Sequence, residues 1–285
     1  MAAVFSAALP MMVSTPSIAA DIRVLTSGAP AAVERALIGE FERRTGHHVT
    51  LKVGTLAAML DKLTAEQAPD LAIFPSPVVG DLAAKGVLSS ATRIDLARVG
   101  IGIAVRTGAA SPDISTMDAF RDLLVRSRSI VFPDPAGGGY AGAHIARVID
   151  ELGLRDQVDT KVRHLFAIDG GLAAVANGDA DIGIFNISEI LPAKGVVMAG
   201  ALPEAAQNYI TFSGAMTPTS ATPDASLAFL RWLADGDGGR AWVAGGFVPA
   251  GEAESQRRAE AVQPKASTMR SASITRVGAA EPIQP

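Results

Sequence analysis

Between Asp21 and Gly86 the chain repeats one unit: a short apolar run, a turn of small or hydroxylated residues, and an amphipathic stretch with helical spacing. Residues 22–26 form the first apolar run, and Ser27-Gly28-Ala29-Pro30 ends it. Residues 31–43 then place Val33, Leu37, Ile38 and Phe41 on one helical face. Gly46 closes this helix, and residues 48–53 alternate as a strand should. Gly54-Thr55 leads into a second helix with Leu56, Met59, Leu60 and Leu63 on its inner side. Residues 70–74 form a third strand, stopped by Pro75-Ser76-Pro77 before a helix that runs to Ala84 and ends at Gly86. A βαβαβα succession implies an α/β fold, with a mostly parallel sheet covered on both faces.

At residues 98–106 the rhythm changes to one longer apolar strand carrying Gly100 and Gly102. Beyond it the pattern predicts a helix at 116–124, a strand at 129–132, a glycine-rich loop at 134–142 and a helix at 144–152. A strand at 162–165, a helix at 171–177 and a strand at 181–185 follow, then an apolar return at 207–212 and a helix at 224–234. Residues 178–190 read as a helix end, a buried strand and a polar loop aimed at a cleft.

The order Thr26-Ser-Gly-Ala29, Phe41-Glu-Arg-Arg-Thr-Gly46, Ala68-Pro-Asp-Leu-Ala-Ile73, Asp134-Pro-Ala-Gly-Gly-Gly139 and Gly183 to Glu189 resembles the extracytoplasmic solute-binding proteins of ABC importers. The molybdate-binding-protein-like group is the nearest in pattern, over roughly residues 21–249. The resemblance implies a two-lobed periplasmic-binding-protein fold of type II, with a hinge and an interlobe cleft. Residues 21–98 and 211–250 would form the first lobe and residues 99–210 the second. It further implies a monomer that binds a small anionic solute and delivers it to an ABC permease in the inner membrane.

Residues 1–20 read as a signal peptide: Val4 to Met12 is a short apolar run, and Ser17-Ile-Ala-Ala20 supplies small residues before Asp21. No Lys or Arg precedes Val4, so the leader is not ideal, and an apolar helix of the mature domain is the alternative. Residues 251–285, rich in Ala, Arg, Glu and Pro, read as a loosely ordered tail. The 285 residues contain no Cys, which excludes disulfides, thiol nucleophiles and a lipid-anchored cysteine. A formal charge of -4 provides no basic field for nucleic acid. The 5% aromatic content argues against stacking platforms.

Candidate ligand contacts follow from the strand ends, since open parallel sheets bind ligands there. Thr26, Ser27 and Gly28 combine hydroxyls with backbone N–H groups at a helix start, although an ordinary N-cap gives the same pattern. Thr55 has the same relation to the second strand, and Ser76 to the third. The resemblance places a hydroxyl-rich binding loop at Thr55, but the Ser-Ser-Gly pattern of the oxyanion receptors is absent there. In the second half, Gly138 and Gly139 suggest a nest of N–H donors. Tyr140 can reach the cleft, and Gly170 and Gly171 precede another helix. His144 reads as a cap or supporting residue. The resemblance sets Asn186 where the molybdate-type receptors carry a binding Tyr, with Ser188 close by. An amide both donates and accepts, which suits a small carboxylate or hydroxy acid.

No metal site is expected: His47 and His48 are adjacent on an extended segment and face opposite ways, and His144 and His164 lack a ligand spacing. No cofactor motif is present, since no Lys-Ser/Thr follows the glycines of residues 137–139. Asp179 and Asp181 read as structural. The Asp134-Pro-Ala and Asn186-Ile-Ser-Glu patterns also resemble a branch of the family that includes an aconitate isomerase. That alternative, a periplasmic tricarboxylate isomerase, needs a proton carrier, and His144, Tyr140 or Glu189 would have to enter the cleft. A structural or adhesive role is a third reading and predicts a large exposed apolar patch.

Overall fold

The computed structural model describes residues 19–63, 69–137, 139–235 and 237–250. The leader and the tail expected at residues 1–18 and 251–285, and the ligand contact expected at Gly138, lie outside the described residues.

The opening rhythm folds as β1 (Asp21–Ser27), α1 (Ala31–Thr45), β2 (His48–Gly54), α2 (Leu56–Leu63), β3 (Leu71–Pro75) and α3 (Ser76–Ala84). The strand expected at 98–106 is in fact two, β4 (Ile94–Val99) and β5 (Ile101–Arg106), broken at Gly100. Apolar periodicity continues through the break because both halves are buried, but they belong to different sheets. Next come α4 (Met117–Arg126), β6 (Ile130–Phe132), α5 (Tyr140–Glu151), α6 (Arg155–Val158), β7 (Val162–His164) and α7 (Gly171–Asn177). Then follow β8 (Ile182–Asn186), α8 (Ile187–Ile190), β9 (Val196–Ala201), β10 (Ile210–Met216), α9 (Pro223–Ala234), α10 (Asp237–Ala244) and β11 (Phe247–Pro249).

One sheet has the order β11-β4-β10-β3-β1-β2 and the other β7-β6-β8-β5-β9. Both are mixed. The βαβ units pair in parallel, β1 with β2 and β3, and β6 with β7 and β8. Antiparallel pairing is confined to the strands that carry the chain between sheets or back again: β10 with β3 and β4, β11 with β4, and β5 with β8 and β9. The chain therefore crosses from one sheet to the other at Gly100 and returns through residues 202–209.

The glycine-rich loop expected to reach residue 142 stops earlier, because Tyr140 already begins α5. Gly142 lies inside this helix, where a Cβ would come within 1.8 Å of the Pro133 carbonyl oxygen. Its role is thus close packing of α5 on the end of β6 rather than loop formation.

The C-terminal elements are docked by aromatic side chains. Phe41 of α1 meets Phe229 of α9 edge to face at 5.0 Å. Trp242, fully buried, packs on Phe247 at 4.9 Å and donates its indole N–H to the Leu233 carbonyl at 2.8 Å. Each such ring stabilises the fold by about 1.5–3 kcal/mol through burial. Asp70, at 0% exposure, accepts from the Arg23 and Ala221 backbone N–H groups, the Arg23 guanidinium and the Ser220 hydroxyl. Burial pushes its pKa up, but these donors outweigh it and hold the carboxyl below its ordinary value. Among the described residues, no helix is long and apolar enough to cross a membrane.

Candidate binding cleft

The carboxyl ends of parallel strands from both sheets open on one cavity of about 70 Å³. Ser27 ends β1, Gly54 ends β2, Pro75 ends β3 and Asn186 ends β8; all four line it. Gly139 and Tyr140 bring the N-terminus of α5 to the opposite wall, while Gly28 and Ala29 precede α1. Phe166, Ile168, Ile210 and Phe212 supply apolar surface. The described lining contains no Lys or Arg. Charge on a solute here would be met by hydroxyl, amide and helix-terminal N–H groups.

Three polar features define the chemistry of the cleft. Ser27 Oγ is buried and has no hydrogen-bond partner. Asn186 Oδ1 is likewise buried; it faces the Glu189 backbone N–H in a capping box but makes no well-formed hydrogen bond. Leaving such an atom unsatisfied costs about 1–3 kcal/mol, so a pair of them at one cavity calls for ligand atoms. The third is Glu189. Its Oε2 accepts from the Asn186 backbone N–H at 3.2 Å and from Asn186 Nδ2 at 2.9 Å, folding the side chain back over the start of α8. Its Oε1 lies where a Cβ on Gly28 would be only 3.1 Å away, so the carboxyl spans from the second sheet to the end of β1. Burial drives the Glu189 pKa up to about 7, against the two donations from Asn186, which favour ionisation.

The other sequence candidates fall in several places. Thr55 lines the cavity, but its Oγ1 accepts from the Ala58 N–H at 3.3 Å and caps α2. Thr26 alternates away from Ser27 along β1, as strand geometry requires, and its hydroxyl donates to Glu34 Oε1 at 3.1 Å. Ser76 does not line the cavity; its hydroxyl joins Ser213 Oγ at 2.7 Å, Arg93 at 2.6 Å and Asp95 at 3.3 Å. Gly170 has φ 99° and makes the left-handed turn into α7, and Gly171 packs beneath Phe185; neither lines the cavity. Ser188 is 2% exposed, with an unpartnered Oγ, and lines an adjoining cavity instead. Tyr140 reaches the cleft, its phenol pKa raised by burial and then by Asp81.

His144 stands outside the lining. Its Nε2 lies 2.7 Å from the Ala206 carbonyl oxygen and Arg147 donates to its Nδ1 at 2.9 Å, contacts that tie α5 to the returning crossing. Asp181 is engaged by Arg128, with contacts at 2.8–3.2 Å. His48 pairs with Glu42, and His47 accepts from the Ala20 N–H. No group of three or more His, Cys, Asp or Glu is placed to hold a metal among the described residues.

Sequence reasoning did not single out Glu34. It lies on α1 beneath the end of β1 at 0% exposure, with Oε2 unpartnered. Burial pushes its pKa up to about 8, against the Thr26 hydrogen bond and the Arg35 charge. Helical periodicity marks residue 34 as neighbour to Leu37 and Ile38 on the inner side, which was the available signal.

A cavity at strand carboxyl ends, between two α/β sheets joined by paired crossings, defines a hinged solute-binding architecture. The chain belongs to the bacterial extracellular solute-binding proteins, whose family model matches residues 22–248. An aconitate isomerase from Pseudomonas sp is 31% identical over 249 residues, covering 84% of this chain and 93% of that protein. In fold, the chain is similar to the periplasmic molybdate-binding protein of Azotobacter vinelandii, at 18% identity and TM-score 0.66, covering 80% and 98% of the two chains. It is also similar to the sulfate-binding protein SubI of Mycobacterium tuberculosis, at 18% identity and TM-score 0.65, covering 85% and 91%.

Proposed function

We propose that the cleft closes on a small carboxylic acid and discriminates against fully ionised tetrahedral oxyanions. The observation that carries this reading is Glu189 in the cavity wall beside unpartnered Ser27 Oγ and Asn186 Oδ1. An oxyanion without protons can only accept hydrogen bonds. It would be repelled by an ionised Glu189 and would leave Asn186 Oδ1 unsatisfied. A hydroxy acid carries carboxylate acceptors for Ser27 and for protonated Glu189, and a hydroxyl proton for Asn186 Oδ1. In this reading the protein is exported and serves an ABC permease, in keeping with its family. Calorimetry with molybdate, sulfate, malate and citrate tests it: the hydroxy acids bind and the inorganic anions do not. Binding of molybdate or sulfate in preference to both carboxylates refutes it.

A second reading, turnover of the bound acid, is supported by the same carboxyl and by the relative that isomerises aconitate. A group titrating near neutrality can take a proton from a carbon adjacent to a carboxylate and return it elsewhere on the same molecule. Glu189 is the carrier: its carboxylate accepts the proton, the electron pair delocalises towards the substrate carboxylate, and reprotonation from Glu189 completes the shift. No cofactor is consumed. Proton NMR of each aconitate isomer in deuterated water is the test, with exchange expected for the wild type and lost in E189Q. Absence of exchange and of isomer conversion in the wild type leaves a receptor.

A further inference from the structure

A second cavity, of about 230 Å³, lies against the first, and the two share Gly28, Ile168 and Glu189. Part of its remaining wall comes from the first turns of α1, where Ala31 and Ala32 leave room, and from α8 and the residues after it, Pro192 and Ala193. Two polar groups there take no part in the cleft. Ser188 is buried at 2% exposure, and its Oγ has no partner. Arg35, one turn into α1, lines the cavity from its exposed side and makes no ion pair among the described residues.

A buried hydroxyl with nothing to bond costs stability unless something fills its valence. An arginine that ends at the same cavity, near the start of a 15-residue helix, gives that space a positive potential. Glu189 lines both cavities, and the second adds the cation that the first lacks.

We propose that this second cavity is a carboxylate subsite, in which Arg35 and Ser188 hold one arm of a polycarboxylate whose remainder occupies the cleft on the far side of Glu189. The inference rests on the carboxylic-acid reading of the cleft and specifies its substrate class: an acid long enough to place carboxylates on both sides of the Gly28–Glu189 contact. Shorter acids occupy the cleft alone. Arg35 thereby selects by length and charge, while Ser27 and Asn186 act on every ligand.

Calorimetry on the wild type, R35Q and S188A, with trans-aconitate and with acetate, separates these roles. Thermal melts of each variant confirm folding, which the exposed position of Arg35 favours. R35Q should weaken trans-aconitate binding at least tenfold and S188A about tenfold, both leaving acetate within twofold of the wild type. The R35Q deficit should shrink as salt rises, since screening removes what the charge contributes. Binding of trans-aconitate that R35Q and S188A leave unchanged overturns the subsite while the cleft reading stands. Failure of the wild type to bind any carboxylate overturns both.

Discussion

Gln207 grips the backbone of Ile101 with both ends of its amide: Oε1 accepts from the Ile101 N–H at 2.8 Å, and Nε2 donates to the Ile101 carbonyl at 2.9 Å. Oε1 also accepts from the Asn208 N–H at 3.0 Å. Ile101 lies just past the outgoing crossing, and Gln207 lies on the returning one. The two connections are thereby joined side by side, and motion of one sheet against the other has to bend both together.

Q207A should lower stability by about 1–3 kcal/mol, the loss of several backbone-directed hydrogen bonds at a partly buried point. Thermal melts give this directly. Small-angle scattering should also show a smaller ligand-induced contraction, because the crossings no longer move as a unit. An unchanged melt would mean that water replaces the amide without cost.

Ser27 and Asn186 should separate affinity from stability. S27A removes a hydroxyl oxygen that has no protein partner, so the melting temperature without ligand should hold or rise slightly. Carboxylate affinity should nevertheless fall by about 1–3 kcal/mol, one to two decades. A parallel loss of both properties would mark Ser27 as structural.

Binding of a carboxylate through protonated Glu189 should depend on pH. With its pKa raised to about 7, the group carries the donated proton below neutrality and loses it above. Affinity should therefore be constant below about pH 6 and fall towards tenfold per pH unit above pH 7–8. E189Q, which cannot ionise, should flatten the profile. Isothermal titrations across pH 5–9 measure this, and a profile that rises with pH would contradict it.

Glu34 should make the fold itself sensitive to pH. Its folded pKa, about 8, lies above the ordinary 4.5, so the folded state holds the proton more tightly than the unfolded chain does. That contribution is fully present below about pH 4.5 and is lost as pH rises through 8. E34Q, isosteric and uncharged, should be more stable than the wild type at pH 9 by on the order of 5 kcal/mol, with the advantage largely gone near pH 5. Denaturant titrations at the two pH values check the sign.

Much of the architecture was legible because the opening units alternate cleanly between a run of buried residues and a helix of one-sided apolarity. The break at Gly100 was not, since Val99 and Ile101 are equally buried and hydrophobic periodicity does not record a change of sheet. The short elements β9, α10 and β11 went unread because their form comes from tertiary pairing, as where β11 lies on β4. At the site, Ser27 and Asn186 were visible as strand-end residues. Ser76 occupies an equivalent strand end, yet its hydroxyl is taken up by Arg93, Asp95 and Ser213, partners far away in sequence. Glu189 had a local signature, an Asn followed three residues later by Glu, which signals that the carboxyl turns back on the helix start. Its reach to Gly28 depends on how the sheets face one another.

The two sheets also differ in when they can be completed. All five strands of the second lie between Ile101 and Ala201, an unbroken stretch of chain. The first needs β10 to join β3 to β4, and β11 to cover the outer side of β4, so it stays open until residue 249 is available. A chain emerging N-terminus first would form its later sheet before its earlier one. Until then β3 and β4 expose the hydrogen-bonding edges that β10 will take, and that interval is where a chaperone would act and where truncation short of residue 210 would lead to aggregation.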